Sequence, residues 1–154
     1  MATWSEFETA APDLASAGRR LIYRGDTGEV FLATVRGDDP PRIHPIWVAI
    51  VDGRLYAFVL RSAKRTDLER DGRFALHAHQ DPAAPGEFSV RGRACPVPPG
   101  DAYDAVARSW YFEVDETYAL FEFSIESAVL GLRDSPDDWP PRYTTWRASR
   151  PDES

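Results

Sequence analysis

The stretch Arg61-Ser62-Ala63-Lys64-Arg65 concentrates groups that bind anions. It lies between a β-branched and aromatic run and a short charged segment, Ser62 to Asp71, that reads as a helix closed by a Gly72 C-cap. At such a junction the Ser62 hydroxyl, the backbone N–H groups of the first helical turn and the Lys64 ammonium can converge on one phosphate. Those N–H groups have no partner inside the helix, and the helix dipole favours negative charge there. Residues 54 to 73 carry six basic and three acidic side chains, a local +3 in a chain whose net charge is −7. Lys64 is also singular: it is the only lysine among 18 basic residues. The same charges equally fit a solvated helix held by pairs such as Arg65 with Glu69.

A second constellation is Pro41-Arg42-Ile43-His44-Pro45-Ile46-Trp47-Val48. Read as a strand, it puts Arg42, His44 and Ile46 on one face. Pro45 cannot donate to a sheet ladder, so this strand is expected at an edge, at a bulge or beside a ligand. Arg42 and His44 near a phosphate site would then be donors to a ring or a polyol chain. Other chemistry finds less support. His77-x-His79 has metal-ligand spacing, but His44 is the only other histidine, and surface or hydrogen-bonded imidazoles are the preferred reading. Glu113, Asp115 and Glu116 read as a solvated loop rather than paired catalytic acids. Cys95 lies at a strand end with no helix N-terminus to activate it. Gly-x-Gly-x-x-Gly, the P-loop and the Gly-x-Ser-x-Gly elbow are all missing from the sequence.

Elements must hold these groups in place. Thr3-x-x-Glu6 has capping-box spacing and Pro12 suits a first helical turn, so residues 1–22 read as helical. Strand-type runs follow at Val30 to Val35, Ile43 to Val51 and Leu55 to Leu60, the last two joined by the tight-turn pair Asp52-Gly53. After the charged helix come Phe74 to His79 and Glu87 to Val97, then a helix from Asp101 to Tyr111. Tyr118 to Leu132 and Arg142 to Trp146 are the final strands. Many strands and few helices point to a mostly antiparallel sheet closed, or nearly closed, into a barrel.

The 154 residues, 43% hydrophobic and 28% charged, fit one ordinary domain, residues 1–154, with 148–154 as a C-terminal tail. At this length folding removes about 70% of the extended chain's surface, so no disulfide or structural metal is needed. A single cysteine excludes an intramolecular disulfide and suits a reducing compartment. The acidic balance argues against nucleic acid or an anionic membrane as partner. The start has acids where a secretory leader has bases, and the longest apolar stretches fall far short of the ~20 residues of a membrane helix. A cytoplasmic location is expected.

The ordered set Phe31-Leu32-Ala33-Thr34-Val35, Pro41-Arg42-Ile43-His44-Pro45, Asp52-Gly53-Arg54-Leu55-Tyr56 and Ser62-x-Lys64-x-x-x-Leu68-x-Arg70-Asp71-Gly72-Arg73-Phe74 resembles the pyridoxamine 5'-phosphate oxidase-like group of flavin-binding split barrels. The likeness continues weakly through Phe88 to Ala94 and Leu120 to Phe123 as far as Trp146-Arg147. It implies a six-stranded antiparallel split β-barrel, a homodimer with FMN at the subunit interface, and flavin-dependent oxidoreductase activity on a small molecule. Arg42, Ile43 and His44 would line the flavin, Val59 and Leu60 would offer it backbone, and Ser62 and Lys64, helped by Arg61, would hold its phosphate. Trp146, with Arg147, would reach the cofactor of the other subunit. The alternatives are a deazaflavin coenzyme on the same fold, or a non-catalytic module holding flavin or haem. The C-terminal third shows no recognisable pyridoxal-phosphate set, and Glu87 stands near the place of a glutamine in the true oxidases, so the resemblance does not extend to vitamin B6 oxidation itself. The run Gly37-Asp38-Asp39-Pro40-Pro41 reads as a longer turn than the Asp-Gly turn usual in that group.

Overall fold

The computed structural model describes residues 1–83 and 85–150. Two helices come first, α1 (Trp4–Ala10) and α2 (Pro12–Ile22). The capping box forms as expected: Glu6 N donates to Thr3 Oγ1 at 3.2 Å and Thr3 N to Glu6 Oε2 at 2.7 Å. The helical segment is broken at Ala11, whose extended φ of −141° is what the following Pro12 requires. The strands are β1 (Tyr23–Arg24), β2 (Thr27–Arg36), β3 (Asp39–Val51), β4 (Arg54–Leu60), β5 (Arg73–Ala78), β6 (Gly86–Pro96), β7 (Tyr118–Leu132) and β8 (Arg142–Arg147). Between them lie α3 (Ala63–Arg70) and α4 (Asp101–Ser109).

Every pairing is antiparallel, and six strands close a ring in the order β2-β3-β4-β7-β6-β5 and back to β2. β1 extends from β2, and β8 pairs the far half of β7. The β3–β4 hairpin turns on Asp52 and Gly53, both at positive φ (48° and 75°), the conformation that pair tolerates. The β2–β3 connection is tighter than expected. Arg36 pairs with Asp39, so the turn is only Gly37-Asp38, with Gly37 at φ 64°; Pro40 and Pro41 fall within β3, where the register shifts. A bulge accommodates prolines that the ladder cannot use. Gly72 also departs from expectation. The helix ends at Asp71 in extended conformation, and Gly72 serves close packing instead, since a Cβ there would come within 2.4 Å of the Ala94 carbonyl oxygen.

The ring is filled by inward side chains such as Val30, Leu32, Leu55, Val59, Leu76, Val90 and Phe123. Trp4 and Phe7 of α1 extend that core through edge-on and stacked contacts with Phe88. β4 is buried on both faces, because Tyr56 and Phe58 pack outward under α4 with Val106 and Trp110. Among the described residues no helix is long and apolar enough to cross a membrane.

Candidate functional site

β4 pairs with β3 only through Tyr56, while its pairing with β7 runs on to Leu60. The edges of β3 beyond Ala49 and of β4 from Ala57 onward therefore part, leaving a split in the barrel with no strand partner among the described residues. Pro45 sits on the parted edge of β3, as its missing N–H demands. The Val59 side chain is buried in the barrel, so only its backbone is available to a ligand, whereas Leu60 is exposed.

At the end of this split α3 begins. Ser62 caps it, donating to the Leu60 carbonyl at 2.8 Å and accepting from Arg65 N at 3.4 Å. Thr66 N goes to the Ser62 carbonyl, so the N–H groups of Ala63 and Lys64 keep no partner among the described residues. Arg65 is taken by Glu69 at 2.9 Å and by the Thr117 carbonyl, which realises the expected helical pair. Arg61 is exposed; its backbone N–H bonds the Thr117 carbonyl and its side chain has no partner among the described residues.

β3 brings Arg42 and His44 to the same helix. Burial, then the positive charges of Lys64 and Arg42, hold His44 below its ordinary value of 6.5, so its imidazole is neutral near pH 7. That coupling places Lys64, Arg42 and His44 in one electrostatic neighbourhood. Ile43 faces the opposite way, 66% exposed on the outer surface with Pro45 and Trp47. Phe31 is exposed on the adjoining β2, and Trp47 packs against Tyr111 and Phe112.

Asp67 is a further member of this neighbourhood, absent from the residues singled out by sequence alone. The residue is 7% exposed, and its Oδ2 accepts from Thr34 Oγ1 at 2.8 Å and from Arg42 Nε at 2.9 Å. Burial pushes its pKa up, but the Arg42 and Thr34 hydrogen bonds outweigh that and hold the carboxylate ionised. One signal in the sequence points to it: Asp67 stands three residues after Lys64, hence on the same helix face. Beyond Asp67 the groove between α3 and the β2–β3 hairpin widens into a cleft of about 440 Å³ lined by Arg36, Asp39, Arg42, Asp67, Arg70 and Asp71.

Trp146 is not part of this assembly within one chain. It pairs with Ala128, ten positions along β7 from the partner of Leu60, and its ring packs on Phe7 at 4.9 Å. His77 and His79 lie on the outer side of the ring, His79 stacked on Phe31 at 4.1 Å, and among the described residues no group of three candidate ligands could hold a metal. Glu113, Asp115 and Glu116 are exposed, Asp115 shaping its turn by accepting from Thr117 N. Of the C-terminal tail, residues 151–154 lie outside the described residues.

The donors present suit a phosphate-bearing ligand: an ammonium, two free first-turn N–H groups and the unpartnered Nη atoms of Arg42 beside an open strand edge. Solved structures share the fold that carries these groups. A NimC/NimA family protein from Clostridium acetobutylicum superposes with a TM-score of 0.62 at 14% identity, over 84% of this chain and 94% of its own. A FAD-binding protein from Mesorhizobium loti gives 0.55 at 20% identity, over 75% of this chain and 92% of its own. A heme binding protein from Mycobacterium smegmatis gives 0.58 at 19% identity, over 84% of this chain and 57% of its own. At these identities the likeness is one of fold. No curated protein matches the sequence. The family model for pyridoxamine 5'-phosphate oxidase matches residues 26–130, which run from the turn before β2 almost to the end of β7 and take in the whole ring, the split and α3. The chain belongs to the pyridoxamine 5'-phosphate oxidase family.

Proposed function

We propose that the chain binds FMN in the split between β3 and β4 and acts as a flavin-dependent oxidoreductase on a small organic molecule. The observation that carries this reading is the parting of β3 from β4 where α3 begins, with Arg42 tied by Asp67 to the helix that carries Lys64 and its free first-turn N–H groups. In it, Lys64 and the first turn of α3 bind the phosphate, with Arg61 at the rim. The backbone edges at Val59 and Leu60 and the strand from Arg42 to His44 orient the ring. Neutral His44 adds a hydrogen-bonding group without adding charge. When bound, the flavin would supply hydride exchange at its N5, which no side chain can supply.

The functional unit in this reading is a homodimer. The outer face of β2 and β3 exposes Phe31, Ile43 and Trp47 next to the split, an apolar patch suited to a second copy that also covers the ring of the cofactor. In that assembly Trp146 and Arg147 belong to the neighbouring subunit's site. A chain with one cysteine and this acidic balance suits the cytoplasm.

The absorbance spectrum of the purified protein tests the cofactor. Bands near ~370 and ~450 nm identify a flavin, a band near ~420 nm a deazaflavin, and a sharp Soret band haem, because the colour belongs to the cofactor. Protein that stays colourless, and whose thermal midpoint does not move with added FMN, sinks the proposal. Steady turnover of an acceptor with NADPH or NADH, rather than a single reduction, separates an enzyme from a flavin-holding module.

A further inference from the structure

The Asp67 carboxylate has a cost that stability does not explain. It is buried, it faces a buried hydroxyl and a guanidinium, and pairs of this kind are often no more stabilising than apolar side chains of the same volume. The geometry of the contact is informative. Both hydrogen bonds fall on one oxygen, Oδ2, and Arg42 gives to it only Nε. Its Nη1 and Nη2 have no partner among the described residues, and they form the parallel two-donor edge that matches two oxygens of a phosphate. Arg42 is also anchored from the other side, since Thr34 is both its ladder partner and the second donor to Asp67.

Resting on the FMN reading above, we propose that Asp67 is a positioning residue: it locks Arg42 by Nε, with Thr34 as its brace, so that the free Nη edge joins Lys64 in holding the cofactor phosphate. Arg36 and Arg70, the other guanidinium groups of the adjoining cleft, do not replace it. Arg36 is turned to the Pro40 carbonyl and Asp39, and Arg70 lies at the exposed far end of α3. An Arg42 without Asp67 would swing between these acids and solvent, and the phosphate would meet one ordered cation instead of two.

The test compares FMN with riboflavin, which has the same ring and no phosphate, by fluorescence titration. Wild type is set beside Asp67→Asn, Arg42→Ala and the double variant, with thermal midpoints recorded. Asp67→Asn is expected to weaken FMN about tenfold and leave riboflavin unchanged, the loss of ordering at one charge-assisted contact. In the Arg42→Ala background the same change is expected to have no further effect on FMN. Equal losses for FMN and riboflavin, or full additivity with Arg42→Ala, overturn the positioning role while leaving the FMN reading standing. Wild-type protein that binds neither flavin overturns both. Should Asp67→Asn not fold, Thr34→Val, which keeps the carboxylate and removes its brace, takes its place: about threefold weaker FMN binding with riboflavin unchanged supports the role, and unchanged FMN binding overturns it.

Discussion

In the proposed FMN site Lys64 and His44 have opposite electrostatic roles. Lys64 supplies a compact charge on a flexible stem, suited to a phosphate whose pocket is already outlined by backbone N–H groups. Lys64→Ala is expected to weaken FMN by about 1.5 to 3 kcal/mol, the range for a hydrogen bond to a charged group, with the barrel still folded by circular dichroism. His44 reports on the same charge. Its titration, followed by the ring proton in NMR, is expected below the ordinary 6.5, and Lys64→Ala is expected to move it upward because one of the positive neighbours that disfavour the imidazolium is gone. An unmoved midpoint would separate the two residues. Arg42 and Asp67 show what residue types alone conceal: an arginine read as a free donor has its Nε committed, and only its outer edge remains for a ligand.

At the scale of elements, the split is made by an early end to one pairing. β3 and β4 share only the pairs around the Asp52-Gly53 turn, from Val51 with Arg54 to Ala49 with Tyr56. A side chain closes the next weak point. Tyr111 sits between β2 and β3 where they diverge, its hydroxyl accepting from Gly28 N at 2.9 Å and donating to the Val48 carbonyl at 2.7 Å. Burial, partly offset by the Gly28 N–H, pushes its pKa up to about 12, so it remains a donor at any working pH. Tyr111→Phe leaves both backbone groups without that partner and is expected to destabilise the fold by about 1 to 3 kcal/mol in urea unfolding. The strands, the hairpin and the helix opened by Ser62 were legible in the sequence because β-branched runs, Asp-Gly and the Ser62 cap act over a few residues. The Gly37-Asp38 turn and the role of Gly72 were not legible, since each depends on what a distant strand places opposite.

For the whole molecule, the Asp67 pair links the site to global stability. Its folded pKa lies below the ordinary 3.8, so its contribution is complete above that value and is lost as pH falls through the folded one. Wild type and Asp67→Asn should therefore differ in unfolding free energy at pH 7 and converge only as pH falls below 3.8 and through the lower folded value. Curves that stay parallel would deny the ionised pair. Assembly has its own test. Ile43→Asp with Trp47→Asp puts charge into the exposed β3 face and is expected to convert the proposed dimer to monomer by light scattering, with FMN binding weakened along with it.

The sequence by itself determined the order of strands and helices, the anion-binding character of Ser62 to Arg65 and the family resemblance, because capping, alternation and turn chemistry are local properties written in neighbouring residues. Tertiary structure decided which donors meet. Ring closure brings β3 against α3, so that Arg42 meets the unforeseen Asp67 and His44 feels the charge of Lys64, while the same register turns Ile43 outward and keeps Trp146 on Phe7. Such meetings depend on strand register and burial across the barrel, where one step of pairing reverses a side chain's face.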